Sequence, residues 1–317
     1  MKKPIYIFNN GKLKREDNTI IFIKENDEKK VIPINSISEI HILGELDLNK
    51  RVLEFLTKNQ IPLFFYNHYG YYIGTFYPRE YLNSGLITLK QAEFYLNHEE
   101  RIFLAKSFII GAVSNILKNL SYYKKAKEEL INSYIQEIEN KAKEINLKTD
   151  IPSIMAIEGD IRKTYYEAFN VILNSDDFYF DKRTKKPPKN PINALISFGN
   201  SLLYTTILAQ IYRTHLDPRI GYLHETNQRS FSLNLDLAEI FKPIIVDKVI
   251  FSLINKGQIQ LKHFDEDIEF SYLNEKGKQI FIQAFEEKIN TTIKYKNLGN
   301  VSYRKLIRLE CYTKTDV

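Results

Sequence analysis

The chain has 317 residues, 44% of them apolar, with a formal charge of +6 and a pI of about 9.0. Its single cysteine, Cys311, excludes an intramolecular disulfide framework and a Cys-rich zinc site, a usage that suits a reducing cytoplasm. Met1 and two lysines lead straight into Pro4, so no signal peptide is expected, and no apolar run approaches the roughly 18 to 20 residues that span a bilayer.

From Lys3 to about Tyr77 the Ile-rich runs PIYIF, TIIFIK, KVIPI and ISEIHIL alternate as strands do and are bounded by Asn, Gly, Lys and Asp. One helix interrupts them in DLNKRVLEFLTKNQ, where Leu48, Val52, Phe55 and Leu56 fall at helical spacing and Asp47 is the expected N-cap. IPLFFYN and YYIGTFYP then resume the strand pattern, and Pro78 to about Leu86 breaks it. Downstream, apolar residues recur three and four apart, predicting helices over 88–120, 121–146, 153–173, 191–213, 233–255, 275–293 and 300–313.

The expected fold class is therefore α+β in two domains: residues 1–85 as a small β-sheet domain with one helix and a short linker, and 86–317 as an all-α domain. Sheet edges in the first domain either pair with a second copy or are covered within the monomer.

Three stretches of the helical half carry residues that divalent metals use. Glu158, in MAIEGDIRKTYYEAF, sits at the edge of a helix face made by Ile154, Ile157, Ile161 and Tyr165. It reads either as a ligand or as half of an ion pair with Arg162, four residues on. His224 follows Gly221, Tyr222 and Leu223. HETNQ is not a zinc-protease helix, because Gln228 stands where the second histidine belongs. Asp236 and Glu239 are three apart in LDLAEIFKP, so on a helix both carboxylates point one way, and Lys242 lies three further on. A cation relieves such a pair, whether it is a metal or Lys242 itself.

Between these stretches, five of the eight residues from 182 to 189 are basic: Lys182, Arg183, Lys185, Lys186 and Lys189. A Pro-stiffened basic loop ahead of a helix start suits phosphate through charge and free N–H groups, and it also reads as solvated surface. Arg304 and Arg308, on one face of SYRKLIRLE, are a second basic candidate. Two carboxylates with one imidazole suit Mg²⁺ or Mn²⁺, the imidazole favouring Mn²⁺.

In order, IEGDIRKTYYEAF, TKKPPKNPINALISFGNSLLY, GYLHE and FSLNLDLAEIFKPIIVD resemble the CRISPR-associated adaptation integrases, the Cas-one endonucleases, with wording nearest to type I systems. The resemblance implies a β domain that forms a homodimer and a helical catalytic domain with one divalent metal per subunit. It implies Glu158, His224 and Glu239 as metal ligands, with Asp236 and Lys242 beside them in the catalytic set. It further implies insertion of short foreign DNA into a CRISPR array by 3′-hydroxyl attack, on double-stranded and branched DNA, with a small partner, Cas-two. A hydrolytic nuclease and a non-catalytic nucleic-acid scaffold are the alternatives.

Overall fold

The computed structural model describes residues 2–80, 82, 84–124, 128–226, 231–267 and 270–313; Gln228 lies outside them. The chain divides into two compact units, Met1–Asn83 and Ser84–Val317.

The first unit runs β1 (Lys3–Ile7), β2 (Gly11–Glu16), β3 (Thr19–Lys24), β4 (Lys29–Pro33), β5 (Ile37–Ile42), β6 (Leu46–Leu48), α1 (Lys50–Lys58), β7 (Leu63–Tyr66) and β8 (Tyr72–Phe76). The strands form two four-stranded sheets, ordered β1-β5-β7-β8 and β4-β3-β2-β6. Alternation sets the register: Leu13 lies opposite Phe22 and Ile20 opposite Ile32, so these four apolar side chains share one face and enter one core. Helix α1 adds Val52, Phe55 and Leu56 to that core. The N-cap differs from expectation. Asn49 accepts a hydrogen bond from the Val52 N–H, whereas Asp47 and Leu48 belong to β6, because the chain stays extended to pair with β2 before it turns.

The second unit contains α2 (Gly85–Leu96), α3 (His98–Lys124), α4 (Glu128–Lys143), α5 (Ile151–Glu167), α6 (Phe169–Ile172), α7 (Pro191–Ile211), α8 (Leu233–Phe241) and α9 (Lys248–Asn255). After them come β9 (Phe264–Asp267), β10 (Phe270–Leu273), α10 (Glu275–Asn290), β11 (Thr292–Lys294), β12 (Asn300–Ser302) and α11 (Tyr303–Thr313). The expected helix over 88–120 is two helices, because Asn97 accepts from the N–H groups of Glu99 and Glu100 and starts α3 afresh. The unit is also not purely helical. Strands β9 and β10 form an antiparallel pair, and so do β11 and β12, where Val301 pairs with Ile293 and Gly299 turns the chain at φ +69°.

Two helices exceed the expected apolar length. Both Pro191–Ile211 and His98–Lys124 are long and apolar enough to span a bilayer by composition. The first has 94% of its apolar window buried inside the protein, so its hydropathy is that of a central core helix. Half of the second window is buried, as in a helix that turns one side to the core. Helix α7 approaches its neighbours so closely that a Cβ at Gly199 would lie 2.6 Å from Val246 and 2.8 Å from Phe281.

Helix α3 is the platform for the candidate site, packing against α4, α5 and α8. Between α8 and α9 lies a π turn, Pro243–Asp247. Pro243 has no N–H to continue the α ladder, and its ring crowds the preceding turn. Two carbonyls at this turn accept from α3: Asn115 Nδ2 donates to Ile240 O at 2.8 Å, and Asn119 Nδ2 to Pro243 O at 3.0 Å. The ladder resumes with a five-residue step, in which the Asp247 N–H donates to Lys242 O at 3.0 Å.

Candidate active site

Asp150 starts α5 by accepting from the Ser153 N–H at 2.8 Å, and Pro152 fits the first turn of the helix. One side of α5 buries Ile154, Ile157, Ile161 and Tyr165. Glu158 and Arg162 flank that side. Their expected ion pair is present, with Arg162 Nε donating to Glu158 Oε1 at 3.2 Å. The pair is more than a surface contact, however. Arg162 is buried, and its NH2 donates to Glu239 Oε2 on α8 at 2.6 Å. One guanidinium thus joins two carboxylates, the second of them 77 residues away from it along the chain.

Glu239 is also held by Lys242, whose Nζ donates to Oε1 at 2.5 Å. Burial works against the charge of Glu239, but Lys242 and Arg162 outweigh it and bring the carboxyl down to about 2. Burial likewise works against the charged form of Lys242, and Glu239 reverses it, raising the ammonium above its ordinary value. Two carboxylates and two cations balance locally, and none of the four reaches full solvent.

Asp236 does something different from Glu239, although both lie on α8. Its carboxylate is sealed from solvent and given wholly to the turn that carries His224. Oδ2 accepts from the N–H groups of Tyr222 at 2.6 Å and Leu223 at 3.0 Å; Oδ1 accepts from His224 N at 2.9 Å and faces His224 Nδ1 at 2.8 Å. Gly221 makes this approach possible, since a Cβ there would lie 2.8 Å from Ser232 and 2.9 Å from Asp236 Oδ2. Burial lowers the pKa of His224, but the hydrogen bond and charge of Asp236 outweigh it and raise the imidazole above its ordinary value. With Nδ1 tied down, Nε2 is the nitrogen left for a ligand.

The sequence placed Asp236 and Glu239 as one pair relieved by one cation. The structure separates them, because the two carboxylates meet different elements. It brings Glu158, Glu239 and Lys242 together around Arg162, and it puts His224 within electrostatic reach of Glu239 and Lys242.

The donor types suit Mg²⁺ or Mn²⁺: two carboxylates, and an imidazole aimed by a third. Their present partners are Arg162, Lys242 and Asp236, and among the described residues no three His, Cys, Asp or Glu side chains stand close enough together to hold a metal ion. A divalent cation here would share these carboxylates with Arg162 and Lys242.

The basic loop is only partly as expected. Lys182, Lys185, Lys186 and Lys189 lie on the loop with at least part of each side chain in solvent. Arg183 instead turns inward onto α7, donating to Asn193 Oδ1 and Ser197 Oγ at 2.9 Å each and to the Thr184 carbonyl. Its fork tethers the loop rather than facing outward. The second basic candidate is likewise committed, with Arg304 on Glu286 and Arg308 on Gln210. Arg162 as the bridge and Asp247, buried within its electrostatic reach, were not singled out as site residues by sequence. The only early signal was the spacing of four between Glu158 and Arg162.

Fold and site together define a class: a two-unit α+β protein whose helical unit encloses paired carboxylates, buried cations and one oriented imidazole. The family model described as CRISPR associated protein Cas1 matches residues 5–287, and the chain belongs to that family. A CRISPR-associated endonuclease Cas1 from Thermodesulfovibrio yellowstonii is 54% identical over 315 residues, covering 98% of this chain and 94% of that protein. The solved structure of a Cas1 protein from Thermotoga maritima superposes with a TM-score of 0.91 at 45% identity, covering 99% of this chain and 96% of that one.

Two more distant structures share the fold. A casposase bound to an integration product has a TM-score of 0.88 at 21% identity, covering 99% of this chain and 90% of that one. A Cas6-RT-Cas1–Cas2 complex has a TM-score of 0.87 at 17% identity, covering 99% of this chain and 34% of that one.

Proposed function

We propose that the protein is a metal-dependent DNA endonuclease and integrase of CRISPR adaptation, joining short DNA fragments to a repeat by 3′-hydroxyl attack on a phosphodiester. The observation that carries this reading is the bridge of Glu158 and Glu239 by one buried guanidinium, beside an imidazole whose Nδ1 is fixed by Asp236. Membership of a family whose relatives are named endonucleases supports it, and so does the casposase fold.

In this reading Glu158, His224 and Glu239 hold Mg²⁺ or Mn²⁺, which when bound supplies charge stabilisation at the phosphoryl oxygens. Asp236 engages Nδ1 and leaves Nε2 as the nitrogen for the metal, a positioning task that uses both of its own oxygens. Lys242 and Arg162 keep Glu239 ionised and supply positive charge for an incoming phosphate. Lys182, Lys185, Lys186 and Lys189 bind DNA backbone.

The first unit forms a homodimer through its sheet edges, where Val31 on β4 and Ile73 on β8 are 57% and 65% exposed. A Cas2 partner follows from the family and from the Cas1–Cas2 complex that shares the fold. DNA chemistry of this kind belongs in the cytoplasm.

The test is joining against cutting. A labelled fragment with a 3′-hydroxyl, supplied with repeat-containing DNA, Mn²⁺ and Cas2, should become covalently joined, because orientation gives that hydroxyl a large advantage over water. A dideoxy-terminated fragment should not join. Identical products from both fragments overturn the integrase reading in favour of a hydrolytic nuclease. Absence of any DNA chemistry leaves a nucleic-acid scaffold.

A further inference from the structure

Within electrostatic reach of Arg162 lies a buried carboxyl group that the proposed reaction does not use. Asp247 ends the π turn and is only 1% exposed. Its Oδ2 has no hydrogen-bond partner, and neither does NH1 of Arg162, the one guanidinium nitrogen not spent on Glu158 or Glu239. Buried polar atoms are rarely left in this state, and two of opposite character close to a candidate site need a reason.

The backbone is shaped to bring Asp247 there. In an α-helix, residues five apart point about 140° away from each other, at 3.6 residues per turn. The π turn closes a bond between residues five apart, so Asp247 comes round to the side of the helix that carries Lys242. That distortion needs Pro243 and the two asparagines of α3, and π turns of this kind recur at functional sites. Asn119 Nδ2 also donates to Tyr165 Oη at 2.7 Å, and Tyr165 in turn reaches the Asp247 carboxyl. These groups are thus a connected polar network made by α3, α5 and the π turn.

Charge gives the network its purpose. Arg162 faces two carboxylates toward the site, and with Lys242 beside it the local charge would be balanced without Asp247. A divalent cation held by Glu158 and Glu239 would weaken their hold on Arg162, leaving a buried cation in need of another anion. Asp247 is that anion, already buried and within electrostatic reach of the guanidinium.

We propose that Asp247 is a positioning residue that takes over Arg162 when Glu158 and Glu239 turn to a divalent cation. Burial holds the Asp247 carboxyl near neutrality, at about 7, with Arg162 opposing, so little energy separates its neutral and charged forms at ordinary pH. The inference rests on the reading of Glu158 and Glu239 as metal ligands.

The experiment measures Mn²⁺ binding by calorimetry on the full chain for wild type, Asp247→Asn, Glu239→Ala and His224→Ala, with the melting temperature of each. Asp247→Asn keeps the shape but cannot become an anion, so it should bind Mn²⁺ about 10- to 100-fold more weakly, as loss of supporting residues around metal ligands does. It should melt no lower than wild type in the absence of metal. Wild-type Mn²⁺ affinity in Asp247→Asn, where Glu239→Ala has lost binding, overturns the proposal and leaves the ligand reading standing. A lowered melting temperature with unchanged affinity also overturns it, as a structural role alone.

Unchanged affinity in Glu239→Ala and His224→Ala sinks the ligand reading instead. In that case a cycle of Asp247→Asn with Arg162→Lys, read as melting shifts with and without Mn²⁺, still decides whether the two residues act together. Shifts that add in both conditions overturn the pairing.

Discussion

Asp236 and His224 are bound at two points: Oδ1 of the aspartate accepts from the histidine N–H at 2.9 Å and lies 2.8 Å from its Nδ1. The same carboxylate holds the two preceding backbone N–H groups, so it builds the turn as well as aiming the ring. Asp236→Ala should therefore lower both stability and metal affinity. Leaving those buried N–H groups unpaired costs about 1–3 kcal/mol for each group that water does not reach. Thermal unfolding and Mn²⁺ calorimetry check this, and a variant that loses activity with no change in melting temperature would contradict the structural half.

Glu158→Ala, His224→Ala and Glu239→Ala should each abolish strand transfer and cleavage, but they should differ in stability. Glu158 has a side chain 25% exposed, and its loss should leave the fold intact. Glu239→Ala leaves two buried cations without their shared carboxylate, a change that costs on the order of 3–5 kcal/mol. Denaturant unfolding of the three variants should rank Glu239→Ala lowest; equal midpoints would mean that Arg162 and Lys242 find other partners.

Lys185→Ala with Lys186→Ala should weaken DNA binding about equally across sequences. Removing one phosphate contact lowers the slope of log K against log salt by about 0.9 on duplex DNA. Arg183→Ala should behave differently, because its fork ties the loop to Asn193 and Ser197, and it should reduce stability as well as binding. A salt titration with an unchanged slope in the double lysine variant would assign the loop to plain surface.

The pH dependence of stability should carry the mark of Asp247. Burial raises its carboxyl to about 7, whereas an unfolded aspartate titrates near about 3.9. Between those values the folded protein keeps a proton that the unfolded chain has released, so stability falls as pH rises through the window. Asp247→Asn removes this contribution, and its melting temperature should gain on wild type from about pH 4 to about pH 7. Parallel curves would show that Asp247 does not titrate there.

Dimerisation should depend on the first unit. Among the described residues β4 and β8 are edge strands of its two sheets, and they carry the exposed Val31 and Ile73. Val31→Lys with Ile73→Lys should convert a dimer to monomer in light scattering. A segment of residues 84–317 that dimerises as well as the full chain would move the interface elsewhere.

By itself the sequence determined the elements whose pattern is local. Period-two runs of Ile and Phe predicted the strand of Ile20 and Phe22, and spacing of three and four predicted α5, α7 and α8, because such patterns record burial; the mostly polar β2 around Leu13 was not legible in this way. The wording around Glu158, His224 and Glu239 also pointed to the Cas1 family, to which the chain belongs. Short polar strands such as β9 and β12 left no such record, since their pairing rather than their burial periodicity makes them strands.

Only the tertiary structure decided who partners whom. Spacing on α8 grouped Asp236 with Glu239, yet one faces the turn of residues 221–224 and the other faces α5, a division set by how helices pack. Arg162 reaches Glu239 across 77 residues of sequence. Asp247 comes to the side of Lys242 through a π turn at Pro243 whose carbonyls two asparagines of a distant helix hold. Distances across a packed core depend on the whole set of contacts at once, and no window of sequence contains them.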